Sequence, residues 1–238
     1  MTEFTITNGN CRVESLVIEH SLSSSVELVG LQVWRGALLL ADYLLANPNL
    51  VTDRHVLELA AGTGLTSITA GMMARTVVST DVDRGDILKL MERNKERNQE
   101  ALTDCDFSVT ELDFCWESLP AELSQQARES ELILAADVVY DKDITRHFFK
   151  TLRTLLSLGP KTALIAIEKR LHAGEDGEIV APNYKIFLES LSDLHGSGLS
   201  KDIRVEVTHL EVDFPQCLQY TRVPELNLFK VESIINST

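Results

Sequence analysis

From His55 to Leu194, short apolar runs alternate with longer segments whose apolar residues recur at helical spacing. The runs predict strands over His55–Leu59, Thr76–Thr80, Ser108–Leu112, Leu132–Ala136 and Ala163–Ile167. Helices are expected over Gly64–Ala74, Arg84–Ala101, Ile144–Leu156 and Tyr184–Leu194. Strands with so few polar residues need cover on both faces, which a parallel sheet with crossover helices supplies. Right-handed crossovers then force an α/β doubly wound architecture. Ligands of such sheets bind beyond the carboxyl ends of the strands, at the switch point. An upstream helix is expected over Arg35–Ala46, stopped by Asn47–Pro48. The weak alternation of "RVESLVIEH" suggests an extra strand or two in an N-terminal extension, residues 1–30, ahead of one domain over 31–238. Beyond Ile203–Val207, strands at Leu218–Val223 and Leu228–Val231 are joined too closely for a helix. A hairpin around Pro224 is therefore expected, which adds an antiparallel strand to the sheet edge.

Hydrophobic residues make up 44% of the 238, enough for a sizeable core. No apolar run reaches the ~20 residues of a membrane span. "MTEFTITNGN" has neither the basic nor the apolar region of a secretory signal, so an intracellular protein is expected. Cys11, Cys105, Cys115 and Cys217 are scattered and read as reduced, partly buried thiols, with no metal site. The net charge of −14 and pI near 4.8 argue against direct nucleic-acid binding and favour basic segments of a protein partner. The same charge also serves plain solubility.

The strand at His55–Leu59 runs into "ELAAGTG". Glycines at Gly62 and Gly64 allow close approach of backbone to a ligand, and the next helix points free N–H groups at the loop. A dinucleotide turn would need a third glycine where Ser67 stands, and no P-loop lysine is present. Glu58 ahead of the turn would repel a phosphate but not a cationic ammonium or sulfonium. Asp81 ends the second strand, where an acid commonly meets ribose hydroxyls. Asp113 and Asp137 stand at or near the ends of the next two. Four acids at equivalent positions suggest a row along one cleft.

The turn "ELAAGTG", Thr80–Asp81, "LDF" at Leu112–Phe114 and "DVVY" at Asp137–Tyr140 resemble the seven-β-strand S-adenosylmethionine-dependent methyltransferases. The tetrad and the upstream "LQVWRGALLLADYL" point to their lysine methyltransferase-like branch. The resemblance implies a seven-stranded, mostly parallel sheet, order 3-2-1-4-5-7-6, with strand 7 antiparallel and helices on both faces. It implies S-adenosyl-L-methionine as cofactor and protein-lysine methylation as the activity. By position, Trp34 would line the cofactor pocket, and Glu58, Gly62 and Gly64 would cradle the methionine and ribose part. Asp81 would accept the ribose hydroxyls; Asp113 and Phe114 would meet the adenine. Asp137 would sit beside the sulfonium and the incoming amine, and Tyr140 would border the acceptor channel; these two are the candidate catalytic residues. Ala60 replaces the first glycine of the family's turn, which bears on cofactor affinity rather than fold.

The partner implied is a protein with an accessible lysine, expected to be a basic or nucleic-acid-binding nuclear protein. It would be reached in nucleus or cytoplasm, by an enzyme expected to be monomeric. Two alternatives stand beside this: a same-fold methyltransferase on a non-lysine or small-molecule acceptor, and a non-catalytic binding module. The alternative for Trp34 is an ordinary core aromatic. Asn94 and Asn98 prolong the apolar stripe of their helix and would bond backbone near the cofactor site or face solvent. Glu168–Arg170 would either rim the acceptor site or form a charged strand exit.

Overall fold

The computed structural model describes residues 1–7, 13–23, 26–174, 176, 178–197, 199–200 and 202–236. An antiparallel pair, β1 (Thr2–Thr5) and β2 (Ser15–Ile18), precedes α1 (Arg35–Ala46). The alternating region follows as β3 (His55–Leu59), α2 (Leu65–Gly71), β4 (Thr76–Asp81), α3 (Ile87–Arg97) and β5 (Asp106–Glu111). It continues as α4 (Ala121–Glu129), β6 (Leu132–Ala136), α5 (Lys142–Leu156) and β7 (Lys161–Glu168). A two-residue pair, β8 (His172–Ala173) and β9 (Ile179–Val180), leads to α6 (Pro182–Ser197), β10 (Ile203–Leu210) and β11 (Leu226–Ile235).

The main sheet has seven strands in the order β10-β11-β7-β6-β3-β4-β5. β7, β6, β3, β4 and β5 are parallel, and β11 runs antiparallel to both its neighbours. The expected doubly wound sheet with its antiparallel strand is therefore present. Two buried apolar clusters cover its faces. One gathers α1, α2 and the N-terminal pair through Leu39, Leu44, Ile68, Leu16 and Ile18. The other gathers α4, α5 and α6 through Leu123, Phe148, Leu152 and Phe187.

Four expectations need correction. The terminal hairpin is not built around Pro224: residues 218–223 form no strand, and β11 pairs with β10 across a long connection. Asp42, buried in α1, explains this. Its Oδ1 accepts from Cys217 N at 2.9 Å and Leu218 N at 2.7 Å, and its Oδ2 takes Arg222 Nη2 at 2.8 Å. A side chain thus satisfies backbone that would otherwise seek a ladder. Secondly, α3 begins at Ile87 rather than Arg84, because Gly85 and Asp86 hold left-handed φ of 65° and 60°. Finally, α4 has no counterpart among the expected helices, since only Leu123 and Ala127 mark its buried side. α5 starts earlier than expected, at Lys142, because the Asp141 carboxylate caps it, accepting from Asp143 N and Ile144 N at 2.8 and 2.9 Å.

Cys217 is buried, Cys105 half-buried and Cys115 exposed, and none of the three forms a disulfide among the described residues. Cys11 lies outside the described residues. Among the described residues no His/Cys/Asp/Glu group could hold a metal, and no helix is long and apolar enough to cross a membrane.

Candidate active site

β3 ends in a tight reversal. Ala60, Gly62 and Gly64 take φ of 52°, 59° and 80°, and Ala61 N donates to Thr80 O of β4 at 2.8 Å. Gly62 must be glycine twice over. A Cβ there would meet Gly30 O at 2.9 Å, and its φ is one that side chains resist. Ala60 accepts the same left-handed region without that licence, at a cost of roughly 1–2 kcal/mol. The Gly62 amide donates to Asp81 Oδ2 at 2.8 Å, and Val82 N donates to Oδ1 at 2.8 Å. Burial pushes the Asp81 carboxyl up to about 6 despite these bonds.

Above this turn lies an open cavity of about 800 Å³, and beside it a second of about 540 Å³. They share Ala60, Asp81, Val82, Arg84, Val138 and Tyr140, so they are two lobes of one trough. Trp34, Gly62, Asp137 and Arg170 line the first lobe; Asp113, Phe114 and Cys115 line the second. The acids at the ends of β4 and β6, and just beyond β5, therefore converge as the sequence suggested. Glu58 and Gly64 do not line either lobe. Gly64 caps α2. Glu58 points away, fully buried, and its carboxylate accepts from Ser67 Oγ, which lies 2.6 Å from Ser79 Oγ. Burial drives its carboxyl up to about 8. The placement of Glu58 against a ligand is thus corrected: in a strand buried on both faces its alternate position falls behind the turn.

Asp137 sits at the exit of β6 with φ of 53°, left-handed for a non-glycine residue. Its Oδ2 accepts from Gly36 N at 2.7 Å and its Oδ1 from Glu168 N at 2.8 Å. One carboxylate thereby fastens the first turn of α1 and the end of β7 beside the trough. A Cβ on Gly36 would fall 2.6 Å from Asp137 Oδ2, so that approach needs glycine. Burial raises the Asp137 carboxyl, with the two amides and Arg170 working against the rise. Tyr140, whose phenol is also raised by burial, borders both lobes. The Trp34 indole N–H donates to Val29 O at 2.8 Å, and the Arg170 guanidinium lies 4.3 Å above its ring.

Sequence reasoning missed the wall made by Leu28–Gln32, which belongs to the stretch first read as an extension and its border. The signal was Gly30, whose carbonyl lies against Gly62. Arg84 was also missed, read only as the start of a helix. Asn94 and Asn98 do bond backbone. Asn94 Nδ2 donates to Thr63 O of the glycine turn and to Glu19 O, both at 2.9 Å, and Asn94 Oδ1 accepts from Glu19 N at 2.7 Å. Asn98 exchanges the equivalent pair of bonds with Val17 of β2.

The sequence profile of the lysine methyltransferase family matches residues 13–191. The chain belongs to that family. Methyltransferase-like protein 22 of Mus musculus is 36% identical over 238 residues, covering 93% of this chain and 60% of that protein. The Homo sapiens protein of the same name is 38% identical over 230 residues, covering 90% and 56%. The chain thus spans under two thirds of the length of these relatives. Protein N-terminal and lysine N-methyltransferase EFM7 of Kluyveromyces lactis is 26% identical, covering 84% and 76%. In fold, the chain resembles the crystal structure of the Pyrococcus horikoshii methyltransferase PH1948. That match has a TM-score of 0.51 at 16% identity and covers 91% and 92% of the two chains.

Membership of the lysine methyltransferase family, with this fold, implies S-adenosylmethionine as methyl donor. The residues present fit it. A trough of two joined lobes, a glycine floor that a Cβ would fill and a carboxylate at the waist suit a nucleoside joined to an amino acid.

Proposed function

We propose that the chain is a protein-lysine N-methyltransferase acting on a basic or nucleic-acid-binding partner in the nucleus or cytoplasm. One observation carries this reading: Asp81 and the glycine floor, suited to the donor, share a single lobe with Asp137 and Tyr140, suited to an acceptor amine. The family membership and the acidic net charge of −14 support a basic protein acceptor. S-adenosylmethionine, when bound, supplies an electrophilic methyl group on a sulfonium. The chain itself mainly aligns the reactants and keeps out water. Asp81 and Gly62 hold the ribose side, Asp113 and Phe114 the base side, and Trp34 closes the methionine side. The Asp137 oxygens, each already taking one amide proton, keep their remaining lone pairs for the amine. The Tyr140 ring narrows the channel. The acceptor, with a reference pKa of ~10.4, loses its proton to water before transfer.

Purified protein incubated with isotopically labelled S-adenosylmethionine and an extract of cells lacking the enzyme, followed by mass spectrometry, tests this. Label on lysine of basic proteins, lost with Asp81→Asn, is expected. Label confined to other residues or to small molecules refutes the lysine assignment.

A further inference from the structure

Arg170 immediately follows Glu168–Lys169 at the end of β7 and turns into the first lobe. Its guanidinium stacks on Trp34 at 4.3 Å, and the Trp34 ring is itself pinned by its bond to Val29 O. A planar cation held on an indole face is fixed in place rather than free to swing. Its charge acts on the Asp137 carboxyl and on the Tyr140 phenol, the two groups assigned above to the acceptor amine. The other charges around that position come from several elements. Glu168 of β7 is paired with Arg35 of α1 at 2.7 Å. Asp81 ends β4, Arg84 follows it, and both act with Asp141 on the Tyr140 phenol. Each Asp137 oxygen takes one main-chain amide. The fixed cation beside Asp137 is therefore Arg170.

An ammonium and a guanidinium repel each other in so confined a space, whereas a neutral amine pays no such penalty. Resting on the lysine methyltransferase reading above, we propose that Arg170 is a positioning residue that admits the acceptor lysine in its neutral form. The neutral nitrogen lone pair forms the N–C bond while the C–S bond breaks, its electron pair staying on sulfur. The methylated nitrogen is then cationic and gives one proton to water. Arg170 acts before that step, by disfavouring the protonated amine that Asp137 alone would trap unproductively.

The test uses a synthetic peptide spanning the lysine that mass spectrometry identifies, with wild type, Arg170→Gln and Arg170→Lys, at saturating donor from pH 6 to 9. In Arg170→Gln the acidic limb of kcat should move up by about one pH unit, a loss of about tenfold at pH 7 that narrows towards pH 9. KM for the peptide should stay level or fall, and Arg170→Lys should restore the wild-type limb. Calorimetric affinity for S-adenosylhomocysteine should stay within about twofold. A deficit equal at every pH, an unmoved limb, or a matching loss of S-adenosylhomocysteine affinity would overturn the proposal. If wild type labels no lysine, the underlying reading fails first, an outcome plainly different from an unmoved limb with normal labelling.

Discussion

Glu58→Gln should stabilise this protein at neutral pH. Glu58 is 1% exposed on β3; the hydroxyls of Ser67 and Thr66 bond it, and the nearby Asp81 carboxylate adds to the rise. Burial lifts its carboxyl from the ordinary 4.5 to about 8. A carboxyl whose native pKa is raised binds more protons folded than unfolded, so stability falls as pH rises from about 4.5 to about 8, then levels. At pH 7 the native state must hold the proton that the unfolded chain has released. The cost there is about 3 kcal/mol, from 1.36 kcal/mol per unit. Glutamine has the same shape, stays neutral at every pH and still accepts from Ser67. The variant should therefore gain up to about 3 kcal/mol at pH 7, read as a Tm rise of roughly 6–10 °C for a chain of this size. At pH 4.5 the two proteins should be nearly alike. The assay is urea unfolding of both proteins without donor at several pH values, compared through their midpoints. Equal pH slopes in the two proteins, or a loss at pH 7, would refute the argument that an unpaired buried acid weighs on β3.

Three further outcomes are expected. Gly62→Ala, whose Cβ meets Gly30 O at 2.9 Å, should abolish calorimetric binding of S-adenosylhomocysteine while circular dichroism still reports the sheet. Asp42→Ala removes the carboxylate facing Arg222 and unpairs two buried amides, and should cost about 3–5 kcal/mol in urea unfolding. Ala60→Gly relieves a φ of 52° but loosens the unfolded chain, so its unfolding free energy should rise by only about 0.5 kcal/mol, with S-adenosylhomocysteine affinity no weaker than wild type.

The sequence made the strands of the sheet's centre legible because each is a nearly pure apolar run, as at Leu132–Ala136. Asp81, Asp113 and Asp137 could be gathered into one trough because strand ends in a parallel sheet share one edge. Glu58 misled because strand alternation, not its nearness to the glycines, decides which way a carboxylate points. The end of the chain misled for a different reason. "CLQYTRV" has strand-like residues, yet its amides go to Asp42, some 175 positions earlier, and no local pattern announces so distant a partner. The Leu28–Gln32 wall was hidden likewise, since its meaning depends on a contact between Gly30 and Gly62.

Asn94 grips β2's exit at Glu19 and the glycine turn at Thr63 with a single amide. That makes α3 a tie-bar. A displacement of the N-terminal strands would meet the floor of the trough at the Asn94–Thr63 bond, outside the sheet. A partner seated on those strands would hold a handle on the ligand bed from the outside of the molecule.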